Sequence, residues 1–267
     1  MSKLSVKNLL GTTAGIGCLS VASVLSFSSS AVAVSFGTSW DGEEYSLQNL
    51  IDGITKGGPG IDTLNDQTGF DWFTNTASGG SLGSFMFEVA GFAPTNKFGI
   101  YNSSGEKALL YEGVNNPGDR VTIDFLAGGD ISVSTKGLPP GNVTPTVDNY
   151  YSDFGNLFGF YLEREDGTSF YTQNALNDGG YQQAVVYQGD NLTTLALPGK
   201  QAGTFTDNEF IIAFEDLWLG GSTDRDYNDL VVMVESVEPI PEPATLMGLG
   251  LVAGSFAILR RRQSQKL

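Results

Sequence analysis

The sequence predicts an all-β protein, an antiparallel β-sandwich of jelly-roll-like type with one short helix near its start. Three observations lead there. Glycine is frequent, at 35 of 267 residues, and aromatic residues reach 11% while charged residues are held to 16%. Aromatic and β-branched side chains suit a pleated surface, and glycine supplies turns. Short apolar runs recur about every ten residues between Gly, Pro, Asn and Asp clusters, the spacing of a sandwich. The length suits one good core, or at most two small ones.

The first element is a leader rather than part of the fold. Lys3 and Lys7 form a basic start, residues 9–27 an apolar stretch softened by Ser and Gly, and Ala31-Val32-Ala33 an A-x-A site. Residues 1–33 therefore read as a secretory signal peptide cleaved after Ala33. The body, residues 34–240, reads as one domain. In "YSLQNLIDGITKGG", Leu47, Leu50, Ile51 and Ile54 fall at helical spacing. Gly57-Gly58 is expected to end that helix, which would cap one end of the sandwich.

Strands are then expected over 83–90, 97–102, 107–113, 120–128 and 130–135, the last two joined by a Gly-Gly-Asp turn. Residues 138–155 lack periodicity and read as a long loop. "FGFYLE" and "TSFYTQ" flank "REDG", and Asp166-Gly167 marks a tight hairpin turn. Strands over 182–188, 209–216 and 230–236, with a weaker one over 193–197, complete the domain. In 209–216 both alternate sets are apolar, Phe210, Ile212 and Phe214 on one side and Ile211 and Ala213 on the other. The same holds for Leu230–Val234, so this pair reads as a central hairpin covered on both faces.

Composition excludes several chemistries. The formal net charge is −16; residues 34–239 alone carry 8 basic and 29 acidic side chains, a net of −21. Such a body repels nucleic acid and anionic lipid and attracts cations. There is no His, and Cys18, the single Cys, lies in the leader. That excludes Ser–His and Cys–His nucleophile pairs, disulfides in a processed chain, and His-based zinc sites. Hard oxygen ligands remain for metal work.

The end of the chain is "PIPEPATLMGLGLVAGSFAILRRRQSQKL". Pro241-Glu242-Pro243 precedes a sixteen-residue apolar run, Ala244 to Leu259, stopped by Arg260, Arg261 and Arg262. As a helix that run spans about 24 Å, short for a hydrocarbon core of about 30 Å, with arginines that can snorkel on the cytoplasmic side. The arrangement over 241–267, with its transmembrane helix at 244–259, resembles the PEP-CTERM sorting signal. The resemblance implies a precursor tethered at the inner membrane of a two-membrane bacterium that makes an extracellular polysaccharide matrix. It also implies an exosortase-type processing enzyme that cuts near Pro-Glu-Pro and passes the body outward.

"FEDLWLGGSTDRDYNDLVV" is the stretch with chemistry in it. Five carboxylates, Glu215, Asp216, Asp224, Asp226 and Asp229, stand with Asn228 and a single cation, Arg225. The two strands place Glu215-Asp216 and Asp224–Asp229 on one rim. Asp224, Asp226 and Asn228 have the i, i+2, i+4 spacing with which calcium loops wrap an ion, and Ca²⁺ takes six to eight oxygens in flexible geometry. The helix-loop-helix calcium motif is not met, because Asp229 stands where its loop needs Gly. Glu235 occupies the twelfth position by letter, but six residues of strand set it roughly 20 Å from Asp229. Glu215 or Asp216 is the better residue to close the shell. The alternative is a metal-free acidic turn in which Asp229 ties down the loop and Arg225 neutralises a neighbour.

Phe214-Glu215-Asp216-Leu217, Gly220-Gly221 and Asp224-Arg225-Asp226-Tyr227-Asn228-Asp229 together resemble the hallmark of a bacterial domain of unknown function, family 4114, over about residues 155–237. That resemblance implies a β-rich extracellular module often found beside PEP-CTERM tails, and no activity. The resulting expectation is an exported, non-catalytic cell-surface or extracellular-matrix protein, stabilised by calcium. Its partners would be extracellular polysaccharide or surface proteins, and the membrane through the C-terminal helix before processing. One alternative is a calcium-dependent carbohydrate-binding module, with Trp40, Trp72, Trp218 and Tyr150-Tyr151 as candidate platforms and Trp218 foremost. The other is a carboxylate-based glycoside hydrolase. Five crowded acids fit a metal cage better than an acid–base pair, and Glu163 and Glu165, beside a hairpin turn, read as solvated.

Overall fold

The computed structural model describes residues 34, 36, 46–77, 81–89, 95–112, 119–136 and 148–240, with backbone pairing alone for 81–89, 135–136 and 148. The expected signal peptide with Ala31 and Ala33, the sorting tail from Pro241 to Arg262 with its apolar run, and Trp40 lie outside the described residues. After helix α1 (Leu47–Ile54) come strands β1 (Thr55–Gly57), β2 (Gln67–Thr68), β3 (Trp72–Asn75), β4 (Ser81–Val89), β5 (Lys97–Asn102) and β6 (Lys107–Glu112). Next are β7 (Arg120–Phe125), β8 (Ile131–Lys136), β9 (Asp148–Tyr151), β10 (Leu157–Glu163), β11 (Ser169–Tyr171) and β12 (Ala184–Gln188). The last are β13 (Thr194–Leu195), β14 (Gly203–Thr204), β15 (Glu209–Phe214), β16 (Leu230–Glu235) and β17 (Val237–Ile240).

Two antiparallel sheets face each other. One has eight strands in the order β2-β12-β15-β16-β4-β7-β8-β9; the other runs β17-β3-β10-β5-β6, with β11 added beside β10. Alternation along each strand sends one set of side chains between them. Phe98, Ile100, Phe158, Phe160 and Leu162 from the smaller sheet meet Val186, Phe210, Ile212, Phe214, Val232 and Val234 from the larger. The aromatic rings interlock: Phe73 stands edge-on to Phe160 and Phe210 at 5.3 and 5.2 Å, and Phe98 stacks on Phe160 at 5.8 Å. Each such fully buried ring stabilises the fold by about 1.5–3 kcal/mol.

The opposite set on β12, β15 and β16 is buried too. Val185, Tyr187, Ile211, Ala213, Val231 and Met233 pack under Leu47 and Ile51 of α1 and under Leu195, Leu197 and Phe205. This is the two-sided burial expected for 209–216 and 230–236. The helix is where the spacing put it, but it lies over the outer face of the large sheet instead of capping an end. It also stops at Ile54, before Gly57-Gly58, because Thr55 turns to extended backbone and pairs with Leu195 in a small third sheet, β1-β13-β14.

Further differences have local causes. Residues 138–155 contain β9, a four-residue strand that pairs with β8 through Ile131↔Tyr151 and Ser132↔Tyr150. Directly after β16 the chain crosses to the smaller sheet as β17, an edge strand paired with β3, with Pro239 opposite Phe73 in a place where a missing N–H is tolerated. On β5 and β10, Tyr101 lies opposite Gly159 and Tyr161 opposite Gly99. A Cβ on Gly159 would stand 2.6 Å from the Tyr101 ring, and one on Gly99 2.2 Å from the Ala108 carbonyl. Glycine is needed there by space.

Candidate metal centre

The strand register explains why the acids meet. Ala184 pairs with Phe214, Phe214 with Leu230, and Leu230 with Val89, forming one row across four strands of the large sheet. One step beyond that row stand Gln183, Glu215 and Asp229. Glu215 and Asp216 leave β15 where Asp229 enters β16, so a hairpin covered on both faces delivers its carboxylates to a partly buried rim.

Two triads of carboxylates form there. Glu215, Asp216 and Asp229 each offer an oxygen within 4.8 Å of the others, and so do Glu215, Asp224 and Asp226. Two oxygens bound to one calcium at about 2.4 Å lie at most about 4.8 Å apart, so both triads have the reach of a single ion's shell. Glu215 belongs to both. It is 0% exposed, Asp216 is 1% exposed, and neither Glu215 oxygen nor Asp216 Oδ1 has a hydrogen-bond partner. Thr223 and the Leu217 amide lie near enough to favour the charged form of Glu215, without a well-formed bond to it.

Electrostatics follows from that crowding. Burial, then the charges of Asp224 and Asp226, push the Glu215 pKa up. Burial, then Glu215 and Asp216, push Asp229 up still further. Burial also raises Asp216, against a lowering hydrogen bond from Asn96, and raises Asp226, against the bond from the Asn228 amide. A buried carboxylate without a partner is costly, and the cluster needs protons or a cation. Arg225 does not supply the charge. Its Nη2 donates to the Leu219 carbonyl at 3.2 Å, and among the described residues it makes no ion pair.

The surrounding loop is tied in several places. Asp229 Oδ2 accepts the Asp216 N–H at 2.8 Å, so Asp229 does fasten the loop while keeping Oδ1 for other use. Asp226 Oδ1 accepts the Asn228 N–H at 3.2 Å, and the Asn228 side chain bonds to Asp226 as well. Asn228 thus supports Asp226 within the DRDYND turn. Arg225 and Tyr227 both take left-handed backbone, φ 59° and 54°, conformations that cost a non-glycine residue about 1–2 kcal/mol each. Tyr227 is anchored by donating to the Gln182 carbonyl at 2.8 Å and by an edge contact with Phe36.

Two residues of the site carry no mark in the sequence. Gln183, fully buried, donates to the Leu217 carbonyl at 2.8 Å and accepts the Leu219 N–H at 2.9 Å, clamping the backbone after Glu215. Asn96, just before β5, donates to Asp216 Oδ2 at 2.7 Å. A Gln or Asn flanking an apolar strand has no spacing signal that separates it from an ordinary turn residue.

Trp218 is 42% exposed, lies against Gly220, donates to the Asp178 carbonyl at 3.2 Å and meets Tyr181, itself 40% exposed, edge-on at 6.0 Å. Tyr150 is exposed, and Tyr151 packs against the core. Trp72 lies 5.2 Å from Tyr101 on the outer face of the smaller sheet. Glu163, expected to be solvated, is instead half-buried between Lys107 at 2.8 Å and Lys97 at 3.6 Å, because β10 sets it opposite Lys97 of β5 and the Lys107 side chain reaches it from β6, one strand further on. Glu165 is exposed. Glu235 ends β16, a full strand away from Asp229, as its position in the sequence suggested.

No curated protein matches the chain. The family model described as "Domain of unknown function (DUF4114)" matches residues 143–237, starting earlier than the segment carried by the acidic motif and taking in β9. The PEP-CTERM protein-sorting motif matches residues 239–262 and begins inside β17, so body and sorting signal abut without a linker. A motif of this kind implies processing by an exosortase and export through the membrane. The chain thus carries a DUF4114 region at 143–237 and, directly after it, a PEP-CTERM sorting motif at 239–262.

Proposed function

We propose that this protein is an exported, non-catalytic component of a cell surface or extracellular matrix, with a β-sandwich stabilised by calcium at the 215–229 rim. The observation that supports calcium most directly is Glu215, wholly buried with both oxygens unpartnered and reached by two further pairs of carboxylates. All-oxygen donors in flexible loops favour calcium over softer transition metals. Glu215, Asp216, Asp224, Asp226 and Asp229 would hold the ion, with Asn228 and Asn96 orienting them. Export by the sorting motif supports a surface role, since calcium is plentiful outside cells.

A second reading has its own support. Trp218 and Tyr181 form an exposed aromatic corner beside the rim, a shape on which a sugar ring can rest, so a calcium-dependent carbohydrate-binding role fits the same site. Titration calorimetry of the full chain in mild detergent tests the main reading. Calcium should bind with measurable heat, and the heat should fall sharply in Asp226→Ala. No heat in the parent would remove the metal from the account. Titrating polysaccharide into the calcium-loaded chain and into Trp218→Ala then separates the second reading from the first.

A further inference from the structure

We infer that the rim holds two divalent cations side by side, with Glu215 as the bridging ligand. The inference rests on the calcium reading and deepens it. One ion would sit in the inner triad, Glu215, Asp216 and Asp229; the other in the outer triad, Glu215, Asp224 and Asp226.

The two positions differ in surroundings. Asp216 is buried and Asp229 partly so, while Asp224 is exposed and Asp226 intermediate. The donors are also divided by their remaining bonds. Asp229 has Oδ2 committed to the Asp216 N–H and Asp216 has Oδ2 committed to Asn96, leaving one oxygen of each for the inner ion. Asp226 accepts the Asn228 N–H on Oδ1 and also bonds to the Asn228 side chain, so Asn228 holds this ligand of the outer ion in place. Glu215 has neither oxygen committed, and it is the buried residue with two acceptors and no donor. A carboxylate in that state is satisfied when each oxygen faces a cation.

Charge favours the pair as well. Five carboxylates exceed what one divalent ion offsets, and Arg225 turns to the Leu219 carbonyl. A second divalent ion leaves a single residual negative charge. Calcium, tolerant of shared and irregular carboxylate ligation, suits both positions.

Equilibrium dialysis of the full chain in detergent against labelled calcium counts the ions. Two saturable ions per chain are expected. Asp229→Asn should keep one, Asp224→Asn should keep one, and Glu215→Gln should weaken both at least tenfold. One ion in the parent overturns the bridged pair and leaves the calcium reading standing; none overturns both. Two ions that bind unchanged in Glu215→Gln are bound elsewhere on the acidic surface, and that result also overturns the inference. A parent count below two overturns the inference even if a variant fails to fold.

Discussion

Asn96 Nδ2 donates a 2.7 Å hydrogen bond to Asp216 Oδ2, joining two buried side chains 120 positions apart in the chain. The bond fastens the approach to β5 onto the rim between β15 and β16. It also leaves Asn96 Oδ1 and Asp216 Oδ1 without partners. Two acceptors cannot satisfy each other, but a cation can satisfy both.

Removing the amide therefore has a defined effect. Asn96→Leu leaves Asp216 Oδ2 buried and unpaired, and should lower stability by about 1–3 kcal/mol in urea unfolding with chelator present. An unchanged midpoint would mean that the bond contributes nothing to the fold.

Gln183 should matter for a different reason. Gln183→Met keeps the volume but releases the Leu217 carbonyl and the Leu219 N–H together. A loss of about 1–3 kcal/mol is expected, together with weaker calcium binding, because the backbone that aims Glu215 is no longer held. Calorimetry on the folded variant separates the two effects.

The raised acids set a pH trend. The Glu215–Asp229 pair titrates in the folded state at about 7 and about 9, against ordinary values of 4.5 and 3.8. Between those limits the folded chain holds more protons than the unfolded one, so metal-free stability falls as pH rises. What these two groups contribute is fully present below about pH 4 and is lost as pH climbs through the folded values. Calcium competes with those protons, so its stabilisation should grow over the same range. Melting temperatures from about pH 5 to about pH 9, with calcium and with chelator, should diverge as pH rises. A chelated protein more stable at the alkaline end would contradict the burial of these acids.

Gly99→Ala tests the sandwich away from the rim. The new methyl meets the Ala108 carbonyl and the Tyr161 ring, and a backbone atom cannot swing aside. A loss of about 1–3 kcal/mol is expected by thermal unfolding, with the increment from calcium unchanged.

Much of this architecture was legible because apolar periodicity reports burial. β5 is legible to the residue, and so is the two-sided burial of β15 and β16, in two apolar sets on the same strand. β9 and β17 were not, since "DNYY" lies in a Pro- and Gly-rich stretch and "VEPI" carries Glu238 and Pro239; tertiary pairing makes them strands. The spacing locates α1 but not its place over the large sheet, because amphipathic spacing shows that a face is buried and not what buries it. In the rim, Asp224, Asp226 and Asn228 stand out by spacing, and Glu215, Asp216 and Asp229 by the hairpin that the two apolar strands predict. Their division into two triads, and the supports Asn96 and Gln183, depend on register and long-range contact that spacing does not encode.

The most direct test of the central claim compares the parent chain with Glu215→Gln by thermal unfolding, in calcium and in chelator. At a hundredfold excess over Kd, calcium should stabilise the parent by about 2.7 kcal/mol. In chelator Glu215→Gln should be at least as stable as the parent, since an unpartnered buried charge has been removed, and it should gain little from calcium. A parent indifferent to calcium, or a variant that gains as much as the parent, would contradict the assignment of Glu215 as the buried ligand at the heart of the rim.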